Sequence, residues 1–565
     1  MRQHVTTIGN RTSPDTSVHD FVPQDRLLIS AYVWVGYVML LLGVIAGLLQ
    51  VLDRTGLLNL PRPVIYYQLL TAHGIVLALV FTTFFIVGYL LAGVAKTMGG
   101  RLIPAARNWG WAGFYTMTAG VVITLVEVIS NRGTVLYTFY APMGASAAFY
   151  IGLALLVVGS WLSGIAIFIQ YGRWRREHPG QRSPLFAFMA VATFVLWIVA
   201  TIGVAVEVVF LLIPWALGWT ETVNVMLSRA LFWYFGHPLV YFWLLPVYII
   251  WYISLPKIIG SHIFSDSLAR LAFILLIIFS LPVGFHHDLT APGIPAGWKY
   301  LQVALTMAVV FPSMMTAFAV VGTLEQAGRK KGGRGLLSWM AKLPWGDARF
   351  LAMFIAMLAF IPVGASGIIN GSFQLNQLVH NTLFITGHFH LAIATTTVLT
   401  FFAASYYLIP TLTGRVFTAT MNRLGIFQAL FWGGGMITMS IAMYISGILG
   451  EPRRTSFTTY MDHPVREAWT PYHIWMAIGG TLAFIGGILF LIIVANLFFF
   501  APKATEKIQF PIAETVEDIQ STPAILERWS IWIPVMIGLV TVAYLIPTWN
   551  LFVNAPPGMP PIQTW

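Results

Sequence analysis

Cysteine is absent from the 565-residue chain, which excludes disulfides, thiolate metal sites and iron–sulfur clusters within it. Charge is scarce as well. Only 9% of residues are Asp, Glu, Lys or Arg, against about a quarter in a soluble domain, and a cytosolic globular enzyme is excluded. The sequence also lacks internal repeats, low-complexity tracts and a basic stripe interleaved with aromatics, so nothing points to nucleic-acid binding. What is present is apolar: 58% of residues and a mean hydropathy of +0.78. At roughly 20 residues per crossing, such a chain holds a dozen or so membrane spans. Any metal must use His, Met, carboxylate or backbone oxygen, so the 13 histidines are the residues to follow.

Apolar runs predict an all-α polytopic membrane protein of about thirteen transmembrane helices. They fall near 27–52, 64–95, 109–130, 146–171, 184–214, 225–254, 267–287, 297–325, 349–370, 376–411, 422–449, 470–500 and 529–549. Residues 1–26 are polar, lack the layout of a cleaved signal, and read as a mobile N-terminal tail. The body is 27–500, followed by a linker at 501–528, then a last helix and outer tail at 529–565. Of the 31 Lys and Arg, 23 fall on the tail's side of the spans and 8 on the other. That bias predicts a cytoplasmic N-terminus and, after thirteen crossings, an outer C-terminus. The formal charge of +11 is this asymmetry.

Ionisable side chains are expensive inside a bilayer, which makes each one a functional candidate. Six histidines lie within or at the ends of apolar spans: His73, His237, His286, His287, His388 and His390. His73 sits about nine residues into its span, and His237 and His388 about twelve into theirs, roughly 13 to 18 Å below the outer surface at 1.5 Å per residue. His286 and His287 end an outward-running span, where Pro282 and Gly284 can distort the helix and turn both side chains inward. His388 and His390, two apart in a helix, diverge by about 200° and cannot share one small ion. They can serve two metals on opposite sides of one helix, a geometry that suits two flanking haems. Without Cys, a three-histidine copper site from His237, His286 and His287 is reasonable. The alternative for each histidine alone is a hydrogen bond to a neighbouring carbonyl, but six at one depth argue against accident.

Tyr241, Tyr248 and Tyr252 follow His237 at helical spacing. Aromatic stripes usually pack, yet Tyr241 sits one turn from a candidate copper ligand, where a phenol can give both an electron and a proton. With Ser313 and Thr316 at similar depth on the span 297–325, the hydroxyls predict a proton path from the N-terminal side. Ordinary helix–helix or backbone hydrogen bonding is the alternative for the last two.

At this point the chain resembles subunit I of the haem–copper oxygen reductases, through GHP-x-VY (Gly236 to Tyr241), the His286-His287 pair, and HNT followed by GHFH (His380 to His390). The match covers a twelve-helix core over roughly 27–500, with one additional C-terminal helix. The resemblance implies His73 and His390 as axial ligands of a low-spin haem of b type. It implies His388 as the proximal ligand of a high-spin haem of a or o type, and His237, His286 and His287 as ligands of one copper ion, copper B. It further implies that Tyr241 is covalently linked to His237, that Arg453 and Arg454 bind haem propionates, and that His380 lies near them. Leu239 stands where mitochondrial-like members carry a proton-relaying glutamate, Thr316 where they carry a lysine, and Asn381 where HDT supplies a magnesium-site aspartate. These departures, and the thirteenth span, resemble the B-type, ba3-like oxidases, in which a single tyrosine, serine and threonine route serves chemistry and pumping.

The resemblance implies a terminal respiratory oxidase that reduces O2 to water with electrons from cytochrome c, draws protons from the cytoplasm and pumps protons. It implies a subunit II partner with a dinuclear copper site, which a chain without cysteine cannot supply itself. It places the chain among membrane lipid in a bacterial or archaeal plasma membrane. A quinol oxidase of the same fold remains an alternative, because the donor meets another subunit. Nitric oxide reductase is a further alternative, opposed by Tyr241, and a cofactor-free transporter with histidine proton relays is a third.

Overall fold

Lipid offers the backbone no hydrogen bonds, so long apolar segments satisfy themselves as helices. A computed structural model describes residues 19–456, 460–554 and 557–563. Among them, thirteen helices are long and apolar enough to cross a membrane. The first seven are α1 (Pro23–Arg54), α2 (Pro63–Thr97), α3 (Pro104–Ile129), α4 (Ala147–Glu177), α5 (Leu185–Ala216), α6 (Val225–Ile259) and α7 (Asp266–Asp288). The rest are α8 (Ala296–Lys330), α9 (Ala348–Gly371), α10 (Leu383–Thr413), α11 (Ala419–Ile448), α12 (Val465–Phe499) and α13 (Trp529–Val553). Starts are written in the sequence. Proline occupies the first turn of α1, α2 and α3, where its missing N–H costs nothing. Ser146, Asn224 and Ser265 accept from the backbone N–H groups of Phe149, Leu227 and Leu268 to cap α4, α6 and α7.

The bundle is layered by burial. The most apolar windows of α2, α6, α7 and α10 are 78 to 94% buried, and those of every other span 56% or less. These four central helices are the ones that carry the six histidines. Lipid tails give no hydrophobic drive between helices, so close approach relies on small residues. On α11 and α12, a Cβ at Gly435 would lie 2.5 Å from the Gly479 carbonyl, and one at Gly479 would lie 2.6 Å from that of Gly435.

Several helices widen to π-type turns, at Ile75–Phe81 of α2, Glu207–Leu212 of α5, Ile250–Ser254 of α6 and His390–Thr397 of α10. Such turns tend to mark functional positions, and two of these lie against the sequence positions of His73 and His390. In α10, Thr395, Thr396 and Thr397 send their hydroxyls back to the carbonyls of His390, Leu391 and Ala392, five residues earlier.

Most span ends fall within about six residues of the sequence reading, and three segments differ from it in kind. The run at 376–411 is two pieces: a short helix Phe373–Val379, then α10 from Leu383. Asn381 at φ +60° breaks the run, and the Thr382 side chain caps the restart. His388 therefore lies about five residues into its helix, one turn in, rather than twelve. The N-terminal tail is shorter than 1–26, because α1 begins at Pro23; residues 1–18 lie outside the described residues. The stretch 501–528 is a docked strap, with Phe510 buried against Phe21, Tyr89, Phe186 and Tyr407. Its far end is held by Glu527, which accepts from Arg270 Nη1 at 2.8 Å and from the Ser183 N–H at 2.9 Å. Among the described residues, β-structure is limited to isolated bridges and a parallel two-residue pairing of Met143–Gly144 with Ile562–Gln563, which ties the C-terminal tail to the body.

Candidate metal centre

The structure brings His73 on α2 and His390 on α10 opposite one another, with ring centroids 6.1 Å apart and planes 18° from parallel. The Nδ1–H of His73 donates to the Gly43 carbonyl at 2.9 Å, and that of His390 to the Thr386 carbonyl at 2.9 Å. A carbonyl only accepts, so both tautomers are fixed and both Nε2 lone pairs are free. Two metal–nitrogen bonds of about 2.0 Å, plus about 1 Å from each nitrogen to its ring centre, give a span of about 6 Å. The facing pair thus fits a single six-coordinate iron. Gly47 makes room for it, since a Cβ there would come within 2.8 Å of His73 Cε1.

His237, His286 and His287 converge, with one ligand atom from each within 4.8 Å of the others. α7 stops at Ser280 and re-forms as a single 3-10 turn over Phe285–Asp288. Gln302 of α8 holds that turn, its Oε1 accepting from the N–H groups of Gly284 and Phe285 at 2.8 and 2.7 Å. Thr306, one turn on, donates to the Gln302 carbonyl at 2.7 Å and accepts from His286 Nδ1 at 3.0 Å. Trp233 stacks on His287 with centroids 3.8 Å apart and planes at 6°. His237 Nδ1 and His287 Nε2 stand 3.2 Å apart, so one must donate to the other unless a cation lies across them. The donor set, three imidazoles with no thiolate, fits copper.

His388 is close enough to interact electrostatically with all three, and its Nδ1 is held by Ser366 of α9 at 2.8 Å. Its other nitrogen is free to bind a metal, as the high-spin haem reading requires. Tyr241 lies one turn from His237, ring centroids 5.2 Å apart. Beyond it, Tyr248 neighbours Ser313 and Tyr252 neighbours Thr316. Neither phenol closes a direct hydrogen bond, so a proton passing along this row needs water between them.

The rim formed by the loop before α12 is cationic. Arg453 donates to Asn381 Oδ1 at 2.7 Å, while Arg454, at φ +66°, lies over the Tyr137 and Tyr140 rings. Arg229 pairs with Asp288 at 2.6 Å. Burial, then the neighbouring Arg454, lowers Arg453 to about 10. Burial, then Arg453 and Arg229, lowers His380 to about 4. A pocket this rich in positive charge fits anionic groups such as propionates. Asn381, at the motif position where the resemblance puts a magnesium-site aspartate, spends its Oδ1 on Arg453. Leu239, where a relaying glutamate would stand, is buried in the apolar core.

Sequence reasoning missed the groups that aim the ligands: Gln302, Thr306, Ser366, Trp233 and Gly47. Thr306 falls one helical turn from Gln302, but no local signal ties either to a loop some twenty residues earlier.

The thirteen apolar helices and the histidines gathered on four of them fit a membrane-embedded oxidase subunit, and the chain belongs to the family described as cytochrome c and quinol oxidase polypeptide I, whose profile it matches over residues 28–482. It is 36% identical to cytochrome c oxidase subunit 1 of Thermus thermophilus, over 94% of this chain and 96% of that relative. A quinol oxidase subunit 1 of Bacillus spizizenii is 23% identical over 78% of this chain and 66% of the relative. Among solved structures, a haem–copper terminal oxidase dimer determined by electron cryomicroscopy superposes with a TM-score of 0.90 at 35% identity, covering 96% of each chain. The chain is a multi-pass membrane protein of an oxidase family that bears haem and copper.

Proposed function

We infer that this chain is the catalytic subunit of a B-type terminal oxidase that reduces O2 to water with electrons from cytochrome c and pumps protons. The observation that supports this reading is one helix serving two centres: His390 of α10 faces His73, while His388, two residues away, neighbours the His237–His286–His287 cluster. Bound there, a b-type low-spin haem, an a- or o-type high-spin haem and one copper ion would supply the electron relay and the place where O2 takes up four electrons and four protons.

The chain's own residues do the rest. His73 and His390 hold one haem, His388 the other, and Arg453, Arg454 and His380 take the propionate carboxylates. Tyr241 offers an electron and a proton together, and its covalent link to His237 would fix it there. Thr316, Tyr252, Ser313 and Tyr248 hand protons from the N-terminal side, which the 23-to-8 cation bias puts in the cytoplasm. Electrons and protons arriving from opposite sides charge the membrane, at about 2.3 kcal/mol per charge per 100 mV.

The large share of each chain matched to the Thermus subunit favours cytochrome c over quinol as donor, delivered through a partner subunit bearing a dinuclear copper site. The test is metal analysis with pyridine-haemochrome spectra of the purified protein, followed by oxygen uptake with reduced cytochrome c and with quinol. Two haem irons, one copper in this chain and uptake with cytochrome c support the reading. A pigment-free preparation overturns it, and uptake with quinol alone reassigns the donor.

A further inference from the structure

Ser366 joins three helices through one oxygen. Its Oγ lies 2.8 Å from the Pro362 carbonyl oxygen of its own helix α9, 2.8 Å from His388 Nδ1 on α10 and 2.8 Å from the Tyr444 hydroxyl on α11. A hydroxyl carries one proton and two lone pairs. The Pro362 carbonyl can only accept, so it takes the Ser366 proton. The His388 Nδ1–H and the Tyr444 O–H then both donate to Ser366 Oγ. A serine bonded back to the carbonyl four residues earlier is commonplace in membrane helices. A serine that also receives a ligand imidazole and a tyrosine from two other helices is not, and its bonding capacity is full.

The two side bonds act in opposite senses. Donation to Pro362 polarises the hydroxyl and strengthens its pull on His388 Nδ1–H, since hydrogen bonds in a chain reinforce one another in a low-dielectric site. Donation by Tyr444 to the same oxygen draws off electron density and weakens that pull. An imidazole whose N–H is pulled harder is a stronger donor at its other nitrogen, and outer hydrogen bonding of this kind tunes the potential of a bound haem.

We propose that Ser366 and Tyr444 are positioning residues that set the donor strength of His388 toward the high-spin haem iron, Ser366 raising it and Tyr444 holding it down. The inference rests on the reading of His388 as that iron's ligand. It adds residues on α9 and α11 which neither the sequence pattern nor family membership assigns.

The test uses the purified holoenzyme and two readouts, the iron–histidine stretch of the reduced high-spin haem by resonance Raman and that haem's midpoint potential. Ser366→Ala leaves the His388 N–H without its acceptor, and the stretch is expected to fall and the potential to rise. Tyr444→Phe removes only a hydroxyl, and is expected to move both quantities the other way. Ser366→Thr keeps the hydroxyl and is expected to restore wild-type values. Shifts of one sign in Ser366→Ala and Tyr444→Phe, as a purely structural role would give, overturn the proposal; so does an unchanged Tyr444→Phe, whether or not Ser366→Ala folds. His388→Ala separates the two readings. Persistence of the stretch in that variant removes His388 as the ligand, and this inference with it, whereas its loss there beside an unmoved Tyr444→Phe defeats this inference alone.

Discussion

Arg54, the last residue of α1, and Glu451, in the loop before α12, form an ion pair 2.7 Å long with both side chains buried. The same guanidinium donates to the carbonyls of Pro452 and Thr455 at 2.7 and 2.8 Å, so it clamps both sides of the segment that presents Arg453 and Arg454. His473 Nε2 approaches the same Glu451 oxygen, Oε1, at 3.0 Å, and the Ser446 hydroxyl donates to the other, Oε2. Removing one partner of a buried pair strands the other charge and costs about 3–5 kcal/mol. Glu451→Ala is therefore expected to lower the thermal midpoint sharply and to loosen the haem nearest that loop, read by differential scanning calorimetry and by the low-spin absorbance after heating.

Glu451 also gives the pair a pH dependence. Burial by itself would raise its carboxyl, but the His473 hydrogen bond, the Arg54 charge, the His473 charge and Ser446 together hold it below the usual carboxylate value. A carboxyl depressed in the folded state contributes stability that is complete above its unfolded pKa, about 4.3, and is lost as pH falls through the folded value. The midpoint is expected to hold from neutrality to about pH 5 and to decline below about 4.3, with this part of the decline missing in Glu451→Gln. An equal decline in both proteins would assign the acid sensitivity elsewhere.

Gly47 backs His73 in the proposed low-spin haem site. A methyl at that position would press within 2.8 Å of His73 Cε1, so Gly47→Ala is expected to tilt the ring and disturb the low-spin spectrum while copper content stays normal. An unaltered spectrum would mean that the helices part easily.

Thr306 engages Nδ1 of His286 and so leaves Nε2 toward the proposed copper site. Substitution of such outer partners typically lowers metal affinity about 10- to 100-fold. Thr306→Val, of the same shape but without the hydroxyl, is expected to lose copper on dialysis while retaining both haems, as plasma emission analysis would show.

Tyr241→Phe is expected to abolish oxygen turnover while both haems and the copper remain. Near-normal oxygen uptake in that variant would remove the phenol from the chemistry.

The sequence was most legible where the membrane makes it so. Apolar runs located twelve of the thirteen spans to within about six residues at either end, because a backbone in lipid has few other choices. α10 escaped because Asn381 and Thr382, a turn and a cap, fall within an apolar stretch of sequence whose hydropathy hides them. The histidines were legible because polar groups stand out against lipid, and the two-residue spacing of His388 and His390 already demanded two partners. Ser366 and Thr306 were not, since a hydroxyl within a membrane helix has an ordinary use in bonding its own backbone. Only the packing of α9 against α10, and of α8 against α7, shows which hydroxyls reach an imidazole.

The pinned tautomers of His73 and His390 bear on how the protein matures. Each ring has its Nδ1–H committed to a carbonyl, so neither imidazole can donate to the other, and a haem iron held by both would tie α2 to α10. Pigment uptake and helix closure are thereby one thermodynamic event: starving cells of porphyrin should leave a looser, protease-sensitive chain in place of a finished but colourless one.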